Sequence, residues 1–258
     1  MSGHSKWSTI KRAKEVNDLQ RAKYFTKSLN QIVMAVKYGG DNVESNVLLK
    51  TSIDNAKSLN IPNKSIENAI KKGKGENKEY SNFEEVFYEA YGPGNTSILI
   101  ECFTDNKNRV ISEIRFILDR NEGKLVNNGT LNWQFELRVL FVLKIDNEIN
   151  NKHKVNYQSL TDLSNIKDKD EFENDILNMD GIIDYKVDKE AFYLYVDPHK
   201  VKYLKDLLEN KKILIYSIEK QYIPKLKIEV SSADMEKNNK LIDLLSNIDN
   251  IENIYVNI

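Results

Sequence analysis

The spacing of the apolar residues changes once along the chain, and this change limits the folds that the chain can adopt. Between residues 17 and 73, apolar residues recur at steps of three and four, which is the spacing of a helix with one buried face. From residue 83 onward, short β-branched and aromatic runs alternate with helical segments. A polar linker near residues 74–81 separates the two parts. The pattern predicts an α+β protein that begins with a helical domain.

The helical part divides into three segments. The first covers residues 17–38, with Asn17 or Asp18 as N-cap and Gly39-Gly40 at its end. A second helix is predicted for residues 45–59, and a short third helix follows Pro62. Three helices with one apolar stripe each can bury those stripes only against one another, so residues 1–77 are expected to form a three-helix bundle. The stripe of the first helix consists of Ala22, Phe25, Leu29, Ile32, Val33 and Val36.

The rest of the chain contains two α+β patterns. The first has a hairpin around Gly92-Pro93-Gly94-Asn95, a helix over residues 108–122 and a short strand over residues 131–135. The second, between residues 138 and 222, has the order β-α-β-β-α-β, which is the ferredoxin-like order.

The C-terminal segment could bury little apolar surface alone. Its pattern predicts a strand near residues 225–230, a helix over 233–246 and a strand over 251–256. We therefore expect it to complete the first α+β unit. The predicted domains are a basic helical domain (1–77), an α+β domain (78–136 plus 224–258) and an inserted ferredoxin-like α+β domain (137–223).

Charge is divided unevenly along the chain. Residues 1–78 contain fifteen Lys and Arg against seven Asp and Glu, a net charge of +8, whereas the remaining 180 residues carry −9. Such an asymmetry indicates that the N-terminal part meets a polyanion such as nucleic acid. Ammonium and guanidinium groups can replace counterions on phosphates, and aromatic rings can stack on bases. The candidate nucleic-acid-binding residues are Lys6, Trp7, Lys11, Arg12, Lys14, Arg21, Lys23, Lys27, Lys71 and Lys72.

Structural explanations for these residues stay open at this point. A basic run is often only a solvated helix face. Lys71 and Lys72 would also suit the dipole at the end of the third helix. Tyr24 either stacks on bases from the basic face or lies across a neighbouring helix with its hydroxyl in water, and the second alternative is favoured.

No pattern of a catalytic or metal site stands out. His4, His153 and His199 lack the spacing of a metal pair. The single Cys102 lies in an apolar run, where a buried and inert thiol is expected. The polar cluster over residues 105–109 either binds a phosphate at a helix start or, as is favoured, forms a turn with Asn caps. We expect a non-enzymatic protein with no cofactor, no metal and no small-molecule substrate.

The chain shows neither a signal peptide before Gly3 nor a run of 18 apolar residues. These features predict a bacterial protein that is located in the cytoplasm and does not contact a membrane.

Several motifs follow one another in a characteristic order. They are Gly3-His4-Ser5-Lys6-Trp7, Arg21-Ala22-Lys23, Phe25-Thr26-Lys27, Gly39-Gly40, and the segments 66–73, 88–94, 101–109 and 254–257. In these motifs the chain resembles the YebC family of bacterial proteins, which are named probable transcriptional regulators. Mitochondrial relatives of that family are translational activators of cytochrome oxidase. The resemblance implies a helical N-terminal domain and two α+β domains, the last inserted in the second. It is weak at residues 15–20, 133–140 and 146–169.

Three functions follow from these observations. The first is a nucleic-acid-binding regulator of gene expression that resembles the DNA-binding regulators of the YebC family. The alternative is a translation factor that binds ribosomal RNA or the ribosome and eases elongation, for example at proline-rich stretches. A protein–protein adaptor would leave the N-terminal charge unexplained. Since no helix-turn-helix signature is evident, we expect salt-sensitive DNA binding with little sequence preference, and tighter binding to ribosomes.

Overall fold

A computed structural model describes residues 18–75, 83–145 and 166–258 of the 258-residue chain. The chain divides into two compact units. One unit contains the residues up to Glu136 together with Ile223–Ile258, and the other contains Leu137–Tyr222. In the described part of the chain, no helix has both the length and the apolar character needed to cross a bilayer.

The described part of the first unit begins with three helices that share one core. Asn46 connects the first two of them: its side chain accepts a hydrogen bond from the Leu49 N–H at the start of the second helix. The same side chain donates to the carbonyl oxygens of Ala35 and Gly40 at 2.7 Å each. Ile32 and Val36 pack with residues of the other two helices in a buried cluster, as the apolar stripe predicts. The helices are α1 (Asp18–Gly39), α2 (Val47–Ser58) and α3 (Asn63–Gly73).

Strands and helices alternate through the rest of the chain. The strands are β1 (Glu84–Gly92), β2 (Thr96–Thr104), β3 (Lys124–Val126), β4 (Phe135–Lys144), β5 (Ile182–Val187), β6 (Ala191–Val196), β7 (Ile215–Pro224) and β8 (Ile251–Val256). The helices are α4 (Lys107–Arg120), α5 (Lys169–Ile176), α6 (Val201–Asn210) and α7 (Ser232–Leu245).

The sheet of the first unit has the strand order β3-β1-β2-β8. β8, from the C-terminal segment, pairs antiparallel with β2. One face of this sheet buries Ile98, Ile100 and Cys102 against α4 and α7. The opposite face carries Phe103, which is buried in the core of the helical bundle and stacks on Phe83 with ring centroids 5.4 Å apart. The bundle and the sheet therefore share part of their core.

The second unit has the strand order β5-β6-β4-β7, which is the ferredoxin-like arrangement for a β-α-β-β-α-β chain. Phe141, Phe192 and Leu194 are fully buried. Phe172 of α5 meets Phe192 of β6 edge to face at 5.0 Å. The expected fold class is confirmed: three N-terminal helices precede two α+β parts, each with an antiparallel sheet of four strands.

Two predicted strands are wrong. Residues 131–135 contain a 3-10 turn over Asn132–Gln134, because backbone N–H groups here bond to the carboxylate of Glu89 rather than to a neighbouring strand. Residues 225–230 have no regular structure, although the Ile228 N–H donates to the carbonyl oxygen of Asn257 at 2.7 Å. The three-residue strand β3 was not predicted, because it is too short to show an alternating pattern.

Candidate nucleic-acid interface

The structure describes only some of the predicted binding residues. Lys6, Trp7, Lys11, Arg12 and Lys14 lie outside the described residues. Arg21 and Lys23 belong to α1, but their side chains are also outside the description. Among the described side chains, Lys71 is exposed, whereas Lys27 and Lys72 are half-buried. Tyr24 is half-buried as well, in line with the favoured alternative of a ring lying against the protein.

Gly73 allows α3 to approach α1 closely. A Cβ atom at this position would lie 2.6 Å from the Cβ of Val36 and 2.8 Å from the carbonyl oxygen of Val33. Only glycine avoids this overlap, so the last turn of α3 lies directly against the C-terminal half of α1. Lys71 and Lys72 immediately precede this contact and are therefore held beside α1.

The predicted basic side chains that the structure describes lie on two helices, Lys27 on α1 and Lys71 and Lys72 on α3. Lys27 lies six residues before Val33 on α1, which separates it by about 9 Å along the helix axis from the contact with α3. Basic residues spaced in this way along two helices fit the regularly spaced phosphates of a polyanion.

Two further basic residues of the bundle bind to the protein itself. The Lys37 Nζ donates to the carbonyl oxygen of Phe83 at 2.6 Å. The Lys74 Nζ lies 3.1 Å from Asp41, and its hydrogen bond and charge hold the pKa of that carboxyl below its usual value. These two ammonium groups already have acceptors within the protein.

The exposed face of α3 was missed by the sequence reasoning. Asn63, Lys64, Glu67, Asn68 and Lys71 are all exposed, while the opposite face of α3 buries Ile66 and Ala69. Lys64 and Asn68 are thus additional candidates for contacts with a partner. Their exposure follows from the 3.6-residue period of α3, whose start after Pro62 was predicted, but the sequence analysis selected only Lys71 and Lys72 from this helix.

A four-residue turn connects α2 to α3. Asn60 in this turn has a φ of +58°, in the left-handed region, and Ile61 is buried. A helix, a short turn and a second helix with an exposed polar face follow one another here in the same order as in a helix-turn-helix motif. The sequence analysis found no such signature, because asparagine adopts ordinary and left-handed backbone angles alike.

Carboxylates surround the C-terminal end of α1. Tyr38 is exposed, yet partial burial and the nearby Glu85 carboxylate raise its pKa to about 12. Glu101 is buried and accepts hydrogen bonds from the Asn253 Nδ2 at 2.7 Å and the Tyr255 hydroxyl at 2.8 Å. Carboxylates repel phosphate. The part of the bundle suited to a polyanion therefore lies away from them, along α3 and along the part of α1 before its C-terminal end.

The polar cluster at residues 105–109 forms the favoured Asn-capped turn. The Asn106 side chain accepts the Arg109 N–H at 3.0 Å, and the Thr104 hydroxyl oxygen accepts the Asn106 N–H at 3.0 Å. The Arg109 guanidinium donates to the Asn250 side-chain oxygen at 2.9 Å. The cluster uses these polar groups to cap α4 and to connect it to the C-terminal segment.

The remaining reactive groups offer little chemistry. Cys102 is fully buried, and this burial raises the pKa of its thiol, which stays protonated and unreactive. Among the described residues, no three or more His, Cys, Asp or Glu side chains are arranged to hold a metal ion.

Comparison with known proteins gives consistent matches over the whole chain. Residues 5–76 match the family model described as the TACO1/YebC protein N-terminal domain, and residues 83–258 match that of the TACO1/YebC second and third domain. A probable transcriptional regulatory protein of Thermoanaerobacter pseudethanolicus is 37% identical over 258 residues, covering 100% of this chain and 97% of that protein. One of Pelotomaculum thermopropionicum is 36% identical, with 100% and 98% coverage.

A solved structure has the same fold. The conserved hypothetical protein Aq1575 of Aquifex aeolicus matches with a TM-score of 0.76 and 28% identity, covering 93% of this chain and 90% of that one. The family models account for the helical bundle and for both α+β parts in their observed order. The protein is therefore a member of the TACO1/YebC family.

Proposed function

We propose that this protein is a non-enzymatic regulator of gene expression that binds nucleic acid through the helical bundle α1–α3. The observation that carries the proposal is the concentration of positive charge in this bundle. Residues 18–75 contain ten Lys and Arg against five Asp and Glu, in a chain whose net charge is −1. The names of the relatives, which are probable transcriptional regulatory proteins, agree with a regulatory role.

Binding would begin with the phosphates. Lys27 on α1 and Lys64 and Lys71 on α3 would replace counterions along the nucleic-acid backbone, which gives affinity but no sequence preference. On duplex DNA, Asn68 on the exposed face of α3 is of the residue type that pairs with adenine in the major groove. The turn between α2 and α3 supports DNA as the partner, and the proposed location is the cytoplasm.

Ribosomal RNA is the second candidate partner. The residue types favour it: the described candidates on α1 and α3 are mostly lysines, whereas one amide, Asn68, faces outward in the middle of α3. Phosphate contacts spread along a helix suit structured RNA, which proteins recognise through shape and backbone. In this case the protein would act on translation at the ribosome.

The binding surface can be tested by removing four charges. We expect a variant with Lys27, Lys64, Lys71 and Lys72 changed to Ala to bind nucleic acid more weakly and with a lower salt dependence. Each lost phosphate contact reduces the steepness of the plot of log affinity against log salt concentration by about 0.9 on duplex DNA. If all four lysines contact phosphates, a fourfold rise in salt concentration should therefore reduce the affinity of the native protein about 150-fold more than that of the variant. A control variant changes four exposed lysines outside the bundle, Lys167, Lys169, Lys202 and Lys240, to Ala. Equal salt slopes for the two variants would contradict the proposal.

A competition experiment distinguishes the two partners. Labelled duplex DNA is bound first, and then ribosomes, random duplex or a candidate promoter are added at physiological salt. A DNA regulator must prefer its site by roughly a thousandfold over random sequence. Displacement by the promoter alone supports the DNA function, and Asn68→Ala should then reduce the preference. Displacement by ribosomes, at concentrations where random duplex has no effect, supports the translation function.

A further inference from the structure

A tryptophan outside the helical bundle is unusually accessible. Trp133, in the 3-10 turn Asn132–Gln134, is 64% exposed. Its Nε1–H donates to the carbonyl oxygen of Thr130 at 2.8 Å, which satisfies the polar edge of the indole and fixes the ring. A large aromatic ring that is fixed but open to solvent is poorly explained as part of the core, and such rings are typical of contact sites.

The turn that carries Trp133 is held in place from inside the protein. Glu89 of β1 is buried, and its carboxylate accepts the backbone N–H groups of Gly129 at 2.6 Å, of Asn132 at 3.2 Å and of Leu131. On the other side of Trp133, the Ser97 hydroxyl donates to the Gln134 side chain at 2.8 Å. Because the turn is already ordered, a ligand that stacks on the ring would not have to order it.

A segment with two cationic side chains and a second exposed apolar side chain lies beside this turn. The Lys225 N–H donates to the carbonyl oxygen of Gln134 at 2.8 Å, which brings the segment 225–227 next to the turn. Lys225 and Lys227 are exposed, and Leu226 between them is 80% exposed. Residues 83–136 and 223–258, which form the α+β part of the first unit, contain nine Lys and Arg against fifteen Asp and Glu. The two neighbouring cations Lys225 and Lys227 therefore stand out from a part of the protein with a negative net charge.

We propose that Trp133, with Lys225 and Lys227, forms a second nucleic-acid contact that stacks an unpaired base of single-stranded RNA. The ring supplies the stacking surface, and the two ammonium groups bind the flanking phosphates. RNA is favoured because Asn128 and Asn132, in the loop that carries the ring, have exposed amides that can bond a ribose 2′-hydroxyl. This inference rests on the proposed function, since it assigns a second surface to the same class of partner.

Tryptophan fluorescence can report this contact directly. The sequence contains two tryptophans, so Trp133 is the only one left in a Trp7→Phe background. We expect an unstructured oligouridine of about ten nucleotides, within the site sizes of single-strand binders, to quench its fluorescence. In the same background, Trp133→Ala should weaken binding about 5- to 150-fold by anisotropy, whereas Trp133→Phe should keep most of the affinity. Changing Lys225 and Lys227 to Ala should lower the salt slope for the single strand by about 1.4.

The control is Phe116→Ala, which removes another exposed ring, one that has Arg120 at 4.1 Å from its centroid. We expect no effect on RNA binding. If the Trp7→Phe protein binds RNA without quenching of Trp133, and the additional Trp133→Ala change leaves binding equally tight, the second contact is wrong while the proposed function stands. If the native protein binds no nucleic acid, both are wrong. Oligodeoxyuridine that binds as tightly as the RNA would contradict the assignment to RNA. Loss of ribosome co-sedimentation in Trp133→Ala with unchanged RNA binding would mean that the ring contacts a protein.

Discussion

The close approach of α3 to α1 makes Gly73→Ala an informative substitution, because two effects of opposite sign compete. Alanine is favoured over glycine within a helix by about 1 kcal/mol. The new Cβ, however, would lie 2.6 Å from the Val36 Cβ and 2.8 Å from the Val33 carbonyl oxygen. Favourable carbon contacts begin near 3.5 Å, so the two helices would have to separate by about 0.9 Å.

The clash should outweigh the helix propensity. Overpacking of this kind costs about 1–3 kcal/mol, and one of the two opposing atoms belongs to the backbone and cannot rotate away. We therefore expect Gly73→Ala to lower the free energy of unfolding by about 1 kcal/mol, measured by urea denaturation of the full chain with far-UV circular dichroism. The displaced α3 should also bind nucleic acid more weakly.

The matched control is Asn68→Ala on the exposed face of the same helix. This change keeps the helix propensity gain without a clash, so it should raise the free energy of unfolding by up to about 0.7 kcal/mol. If Gly73→Ala stabilises the protein as much as Asn68→Ala does, the close contact between α1 and α3 does not exist as described, and the position of Lys71 and Lys72 beside α1 would have to be revised.

Three further predictions concern the core and its titratable groups. Phe103→Ala, in the shared core of bundle and sheet, should lower the free energy of unfolding by about 3–5 kcal/mol in urea, and a loss below 1 kcal/mol, as expected for the exposed Phe116→Ala, would contradict that packing. Cys102 should react with a thiol reagent at mildly alkaline pH only as fast as the protein unfolds, because burial raises the pKa of its thiol, and rapid labelling of the native protein would refute its burial. The folded pKa of Tyr38 is about 12 against an ordinary value of 10.0, so the stability linked to this group is complete below pH 10 and is lost as the pH rises towards 12. Urea titrations across that range should show a smaller loss for Tyr38→Phe than for the native protein, and equal losses would mean that burial and Glu85 do not raise the pKa of this hydroxyl.

Periodicity was sufficient to predict most of the fold. The stripe of α1 and the turn at Gly92-Pro93-Gly94-Asn95 are local signals. The structure contains α1 with boundaries within one residue of those predicted, and the hairpin β1–β2 at the predicted turn. The segment 225–230 shows the limit of this method. Its alternating apolar residues match a strand, but Leu226 is exposed and the segment forms no ladder.

The contacts that shape the candidate surfaces join residues far apart in the chain. No local pattern shows that Glu89 within a strand accepts the N–H groups of a turn 40 residues later, or that Gly73 is needed for contact with Val36. Alternation along β2 places Phe103 on the face opposite Cys102, but it does not show which element covers that face. The positive charge of the bundle, in contrast, depends only on composition and could be counted directly from the sequence.

The pairing of β2 with β8 has a consequence for synthesis of the chain. β2 ends at Thr104, but its partner begins at Ile251, so the sheet of the first unit lacks one strand until Ile251–Val256 has left the ribosome. The inserted unit ends at Tyr222 and has all of its strands earlier. We therefore expect a nascent chain to fold the ferredoxin-like unit first, while the outer edge of β2 remains open to wrong pairing or to chaperones. A stop codon shortly before Ile251 should then give a protein that aggregates although most of its sequence is intact.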